Sequence, residues 1–523
     1  MLGALVACDG PAPVARHAPF VLRVPLPRDI LTLDPAQADE ITTFNVVRQL
    51  YEGLVDYDPA TLEVVPRLAR SWTRSADGLE WRFELQAGVR FADDACFGPR
   101  RSREATAADA KFSLERCLGQ GRGGRDAELP PLDGLGAYLS GSAPEISGIV
   151  VEGDRTLRLE LRRPDATLLH FLARPCGRIV AREAVETYGE AIARHAVGTG
   201  PFRLVAWHPL AGILLVRNGA YWQRDADGAR LPYVDALRFV PAPHASQMQL
   251  YARGELELAY NRAVDPGTGG EPRGEQRFLV ALLNTIYVGF DHRSSHPAVR
   301  DRRLRHALAL VAPHPGSTLQ RPARGLFPPG LPGFDPDLAG QRVDPAEAER
   351  LLGAAGHPRG RGLRPLRLVW REWDLGVGRR VADALRGLGL EVDLLPRDDR
   401  AFAQAVAAGE ADLFRGGWVA DYPDPQTFLE LFYSGSPQNL GSYSDSEFDA
   451  LFVAFRAEVD AATRTAMARR LERLLLDDAA AIFLHHEQES RLVRGRVRNW
   501  EHNGTNPLNL VFFERVRLQP GDA

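Results

Sequence analysis

Leu366-Arg367-Leu368-Val369-Trp370, a helical stretch from Val377 to Leu388, and Leu390-Glu391-Val392-Asp393-Leu394-Leu395 follow one another closely. The outer segments are of strand length and rich in Leu and Val. A strand, a helix and a second strand in that order imply a parallel α/β unit. Downstream comes Arg415-Gly416-Gly417-Trp418-Val419-Ala420-Asp421-Tyr422-Pro423-Asp424-Pro425, leading into Gln426-Thr427-Phe428-Leu429. Its two prolines forbid a continuous helix or a central strand. Asp424-Pro425 reads as a helix cap with proline at the first helical position. Asp421 is left beside Trp418 and Tyr422 with no evident structural duty, and a carboxylate against aromatic walls suits a cationic group. Taken alone, a single aspartate there is more ordinarily turn chemistry.

Further along, Ser444 with Glu447 predicts a capped helix whose apolar face is Phe448, Leu451, Phe452 and Phe455, a core stripe. A helix over Ala462–Leu476 and a strand at Ile482-Phe483-Leu484 follow, and the apolar Val511-Phe512-Phe513 lies near the end. Upstream, Asp344-Pro345 opens a helix that ends at Gly356. A helix is expected over Val299–Val311 and a strand at Tyr287–Phe290. Asp265-Pro266-Gly267-Thr268-Gly269-Gly270 marks a boundary. The first half carries a strand at Val21–Val24, a helix over Asn45–Leu54, an Asp77-Gly78 hairpin turn, a capped helix from Thr106, and a mobile Gly/Arg-rich loop over 119–131. Gly198-Thr199-Gly200-Pro201 enters a strand, not a helix, so a phosphate cradle is poorly supported.

The 523 residues, 45% hydrophobic and 25% charged, are those of a globular protein of several domains. A net charge of −4 argues against a nucleic-acid binder. Lys111 is the only lysine, so scattered arginines are mostly surface charge. The opening Met1-Leu2-Gly3-Ala4-Leu5-Val6-Ala7-Cys8 is far too short to span a bilayer and fits the end of a signal peptide. Leu5-Val6-Ala7-Cys8 resembles a bacterial lipobox, without the charged segment that usually precedes it. The resemblance implies lipidation of Cys8, a Pro/Ala-rich tether to Pro19, and, through Asp9, retention at the inner membrane. An exported protein could pair two of Cys96, Cys117 and Cys176; which two is not legible. No C-x-x-C spacing supports a zinc site.

An ordered series of short motifs covers about residues 20–515. It comprises Leu33-Asp34-Pro35-Ala36, Tyr51-Glu52-Gly53-Leu54-Val55, Pro66-Arg67-Leu68-Ala69, Ser71-Trp72, Asp77-Gly78-Leu79, Gly88-Val89-Arg90-Phe91 and Thr106-Ala107-Ala108-Asp109. It continues with Gly198-Thr199-Gly200-Pro201-Phe202, Arg217-Asn218 with Tyr221-Trp222, Asp301–Ala307, Asp344-Pro345 and Gly417–Tyr422. In this series the chain resembles the extracytoplasmic solute-binding proteins of peptide ABC transporters, the oligopeptide/dipeptide-binding group called family 5. The resemblance implies a type II periplasmic-binding-protein fold: α/β, two lobes, a ligand cleft between them, and an extra subdomain in the first. It places lobe I at 20–277 plus 488–523, with the subdomain at about 55–177, and lobe II at 278–487, after a tether at 1–19. Lobe closure would enclose the ligand.

By the same resemblance Asp421 pairs with a peptide's α-ammonium, Arg415 helps receive its carboxylate, and Trp418, Tyr422 and Gly417 line the pocket. The implied partners are a short peptide and the permease and ATPase subunits of an ABC transporter. No nucleic acid, metal or cofactor is expected, and the protein is expected to be a periplasmic monomer touching the membrane only through its lipid. The chain departs from the family between Phe91 and Thr106, where Asp93–Arg103 is longer and contains Cys96, at the expected pocket rim. Alternatives are a binder of a nickel chelate, haem or a sugar, a peptide sensor that serves no transporter, or an exported hydrolase. Against the hydrolase, no Gly-x-Ser-x-Gly occurs, and His486-Glu487-Gln488-Glu489-Ser490 lacks the second histidine of a zinc protease. The adjacent His485 and His486 are better read as hydrogen-bonded near a strand end.

Overall fold

The computed structural model describes residues 20–38, 40–120, 129–261, 275–313, 315–501, 503 and 506–519. Cys8 and its tether, Asp265–Gly270 and most of the Gly/Arg-rich loop lie outside the described residues. Among the described residues no helix is long and apolar enough to cross a membrane.

The predicted parallel unit is present. Leu366–Arg371 runs parallel to Val392–Arg397, with Leu366 opposite Val392, and the helix Leu375–Gly387 crosses between them. This helix buries Val377, Val381, Ala382 and Leu385 on one stripe. It can lie so close because Gly378 has no side chain: a Cβ there would sit 2.7 Å from the Trp370 ring. Around this unit an eight-stranded mixed sheet forms in the order Leu258–Asn261, Ala481–Arg494, Asn284–Phe290, Leu413–Val419, Leu366–Arg371, Val392–Arg397. Glu275–Ala281 and Gln320–Pro322 also pair with Ala481–Arg494. A separate four-stranded sheet joins Val21–Leu26, Ala236–Pro241, Gly212–Arg217 and Phe202–His208. A third, antiparallel, joins Ala69–Arg74, Glu80–Leu85, Thr156–Glu160 and Ile149–Val151.

Several local expectations shift. The first helix runs Ile41–Leu50, four residues before the predicted start. The expected helix over Val299–Val311 is interrupted, because Asp301 leaves helical geometry (φ −89°, ψ 116°) and its side chain caps a new helix, Arg302–Ala309. Asp445, not Ser444, caps the aromatic helix Ser446–Ala457 by accepting from the Phe448 N–H. Gly198 and Gly200 serve close packing: Cβ atoms there would lie 2.1 Å and 2.6 Å from backbone oxygens of Leu50 and Gln49.

Many motif residues converge on one buried charge network. Asp56, 3% exposed, accepts from Arg48 at 2.8 Å and from Arg178 at 2.9 Å. Arg67 lies 3.8 Å from Asp56 and 3.7 Å from Glu52, and donates to Glu514 at 2.7 Å. Glu52 in turn accepts from Thr199, Tyr221 and Trp222. Burial pushes Asp56 up, but Arg178, Arg48 and Arg67 outweigh it and hold the carboxyl well below the usual range. Burial wins at Glu52, which is raised.

Glu472, 1% exposed on the helix Ala461–Asp477, accepts from the Phe327 N–H at 2.9 Å. Burial, only partly offset by backbone N–H donors, pushes its carboxyl up to about 7. The folded value lies above the unfolded one, so this group's contribution is complete below the unfolded value and is lost as pH rises through about 7. Glu472→Gln should therefore match the parent near pH 4 and exceed it by up to about 3 kcal/mol near pH 8. Urea unfolding at both pH values measures this, and equal differences at the two would refute it.

Candidate functional site

Leu413–Val419 is laddered to Asn284–Phe290 along its whole length, with Trp418 opposite Thr285 and Arg415 opposite Val288. On its other side, pairing with Leu366–Arg371 covers only Leu413 and Phe414. Among the described residues the strand is thus laddered on one side alone from Arg415 to Val419, which leaves an edge that an extended chain could join. Two glycines keep that edge low. A Cβ on Gly416 would strike the Tyr287 ring at 2.1 Å, and one on Gly417 would meet the Arg415 guanidinium at 2.5 Å.

The side chains on this segment divide by role. Arg415 donates from Nε to Asp374 at 3.2 Å and sits 5.0 Å over the Trp373 ring, which is 64% exposed. Burial raises the Asp374 carboxyl although Arg415 pulls it down. The Trp418 indole donates to Thr427 Oγ1 at 2.7 Å, and that hydroxyl donates to Asp421 Oδ2 at 3.4 Å. Asp421 keeps a side chain 33% exposed, with the Arg174 guanidinium 3.7 Å from Oδ1. Tyr422 points inward and stacks on His170 at 5.3 Å, which stacks in turn on Tyr57 at 5.9 Å. Burial pushes His170 down to about 4, so its imidazole is neutral at pH 7. Asp424 caps by accepting from the Gln426 N–H and is held by Arg464 through 2.7 Å and 3.1 Å contacts. The two carboxylates of the segment therefore do different work.

Sequence reasoning also missed a cavity. A cavity of about 410 Å³ opens at the start of the helix Ile41–Leu50, lined by Arg28, Glu40, Ile41, Tyr260, Glu489 and Arg491 among others. Placing the helix start at Asn45 hid Glu40 and Ile41, which precede and begin it. Alternation along Ala481–Arg494 joins this cavity to the Arg415 edge. His485, Glu487, Glu489 and Arg491 share one face; Glu487 acts on Asp374, and Glu489 and Arg491 enter the cavity. His485 is pushed down to about 3, by burial first and then by Arg415. His486 Nδ1 lies 3.0 Å from the Asn284 carbonyl, and burial pushes it down to about 4.

The unusual Asp93–Arg103 loop is pinned to its own neighbourhood. Asp94 accepts from Tyr188 at 2.6 Å and lies 2.8 Å from His195, and Arg103 forks onto Asp109 at 2.7 Å and also reaches Glu183. Cys117 and Cys176 form a disulfide, and the remaining Cys96 thiol is pushed up to about 12 by burial and then by Asp94. Among the described residues no cluster of His, Cys, Asp and Glu is arranged to hold a metal ion.

Comparison with known proteins gives consistent likenesses. The model of the bacterial extracellular solute-binding proteins, family 5, matches residues 63–439. The probable di/tripeptide-binding protein 5 of Pseudomonas aeruginosa is 27% identical over 515 residues, covering 93% of each chain. The periplasmic oligopeptide-binding protein OppA of Escherichia coli is 25% identical, covering 94% of this chain and 91% of its own. In structure, the periplasmic binding protein DppA of Helicobacter pylori, solved with the peptide STSA, superposes with a TM-score of 0.74 at 22% identity, covering 96% of this chain and 99% of its own. OppA of Burkholderia pseudomallei gives 0.73 at 24% identity, covering 96% and 100%.

Proposed function

The chain belongs to the bacterial extracellular solute-binding proteins, family 5, and on that premise we propose that it captures short peptides in the periplasm and delivers them to an ABC permease by lobe closure. The observation that carries this reading is the one-sided strand Arg415–Val419, flanked by a carboxylate at Asp421 and a guanidinium at Arg415. A peptide of any sequence presents an amide ladder, an ammonium and a carboxylate. An open strand edge with one charge of each sign matches those constant features and leaves the variable side chains to roomy space. Asp421 is the ammonium anchor, Trp418 its positioning partner through Thr427, and Gly417 the low point of the edge. Tyr422 backs the site from the core, and Arg415, already paired with Asp374, would also donate to the ligand carboxylate. Glu40, Ile41 and Arg491 supply the facing wall. The names of the relatives, which bind di-, tri- and oligopeptides, support the same class of ligand.

The finer points of the reading are these. The protein acts as a monomer and binding protein without catalysis, tethered by a lipid on Cys8. Lobe I comprises 20–277 plus 488–523, with the subdomain 55–177, and lobe II comprises 278–487. The strand Ala481–Arg494 crosses between the lobes.

The test is direct. Protein purified from its host is denatured and the released ligand identified by mass spectrometry. A ladder of short peptides is expected; a single metal chelate, haem or sugar would replace the reading, and turnover of peptide would point to an enzyme. Asp421→Ala is expected to weaken peptide binding by roughly tenfold or more with the fold intact, since a hydrogen bond to a charged group contributes about 1.5–3 kcal/mol. Titration calorimetry with unchanged affinity would remove Asp421 from the site.

A further inference from the structure

We propose that Arg174 sets the ligand preference at the Asp421 end, favouring peptides that carry an acidic side chain at their first or second residue. This inference rests on the reading of Asp421 as the ammonium anchor and names the class of peptide that fits it.

Arg174 comes from the subdomain side, directly after the helix Leu168–Ala173. Its backbone is fixed on both flanks. Its N–H donates to the Phe171 carbonyl at 3.2 Å. Two residues on, Cys176 is bound to Cys117, and Arg178 is locked onto Asp56. The backbone that carries the guanidinium is therefore held in one place. The guanidinium lies 3.7 Å from Asp421 Oδ1, with side chains 18% and 33% exposed, and 5.9 Å over the Tyr422 ring. That separation exceeds a hydrogen bond, so the two form a charged pair and not a closed fork.

Among the described residues, most of the other charges nearby are paired or neutral. Asp424 is neutralised by Arg464. His170 is uncharged at pH 7, since burial pushes it down to about 4, whereas Glu430, pushed up to about 7 by burial, keeps about half its charge there. An incoming ligand thus meets one negative and one positive group side by side. A bare ammonium on Asp421 is drawn to the carboxylate but brought beside a like charge. An ammonium with a carboxylate one side chain away satisfies both groups, and Arg174 has N–H donors for it.

The experiment uses the full chain and alanine peptides of three and five residues carrying Glu or its uncharged isostere Gln at position one or two. Titration calorimetry on the parent protein should show the Glu peptide bound about tenfold more tightly than its Gln partner at one of the two positions. Arg174→Gln and Arg174→Met should bring that ratio close to one and improve binding of the Gln peptides. Arg174→Met keeps the aliphatic stem over Tyr422, and thermal melts establish that each variant is folded. If peptides bind but the parent shows no preference, or the preference survives in a folded variant, this inference fails and peptide capture stands. If the folded parent binds none of these peptides and releases none on denaturation, peptide capture fails and the inference falls with it.

Discussion

Replacing Asp56 by alanine is expected to cost about 3–5 kcal/mol of folding stability, the usual range when one partner of a buried ion pair is removed. The expectation follows from what stays behind. Arg48 and Arg178, 6% and 1% exposed, both donate to Asp56, and Arg67 lies 3.8 Å away. Without the carboxylate, Arg178 keeps the Ala173 carbonyl and a ring contact to Phe44, but no anion. Arg48 keeps the Val511 carbonyl and the faces of Phe512 and Phe44. Only Arg67 retains carboxylates, at Glu514 and Glu52. Asp56→Asn should cost less, because an amide oxygen can still accept from one guanidinium. Chemical denaturation measures both, and a loss below about 1 kcal/mol for the alanine variant would contradict the account. The consequence reaches function, because Arg178 fixes the segment that carries Arg174 toward Asp421.

The second large effect concerns the disulfide. Cys117, on the helix Ala107–Gly119, and Cys176, in the turn Pro175–Gly177, are 59 residues apart in sequence. Closing a loop of that length restricts the unfolded chain by about 4 kcal/mol on the chain-entropy account. The double variant Cys117→Ala with Cys176→Ala is expected to lose most of that. Alanine avoids burying a hydroxyl where the cysteines are 2% and 6% exposed. Urea unfolding of parent and variant gives the difference, and a variant within about 1 kcal/mol of the parent would show that the bridge does not restrain the unfolded chain. The same variant probes the site. Cys176 stands two residues from Arg174, so its release should loosen the guanidinium and reduce any preference among charged peptides before it affects neutral ones.

The parallel unit at Leu366–Arg397 was legible because its strands are short and rich in Leu and Val and its helix has its own period, signals local in sequence. The boundary of the first helix was not, since Glu40 makes no side-chain cap and the start is set by packing. The break at Asp301 escaped for a related reason. The apolar stripe continues in register across it, and only the capping geometry interrupts the backbone.

By itself the sequence determined the fold class, the segregation of Asp424 into a structural cap, and the segment that forms the proposed site. Those depend on residue type, order and short spacing. Tertiary structure alone decided which cysteines pair, because Cys117 and Cys176 meet only when the helix and the turn are packed together. It also decided the cavity at which Glu40 and Ile41 meet Arg491, about 450 residues later in the chain. Above all it decided the surroundings of Asp421. Nothing local to Trp418–Tyr422 foretells Arg174, which lies about 250 residues earlier and arrives because the buried Asp56 network and the disulfide hold its segment in place.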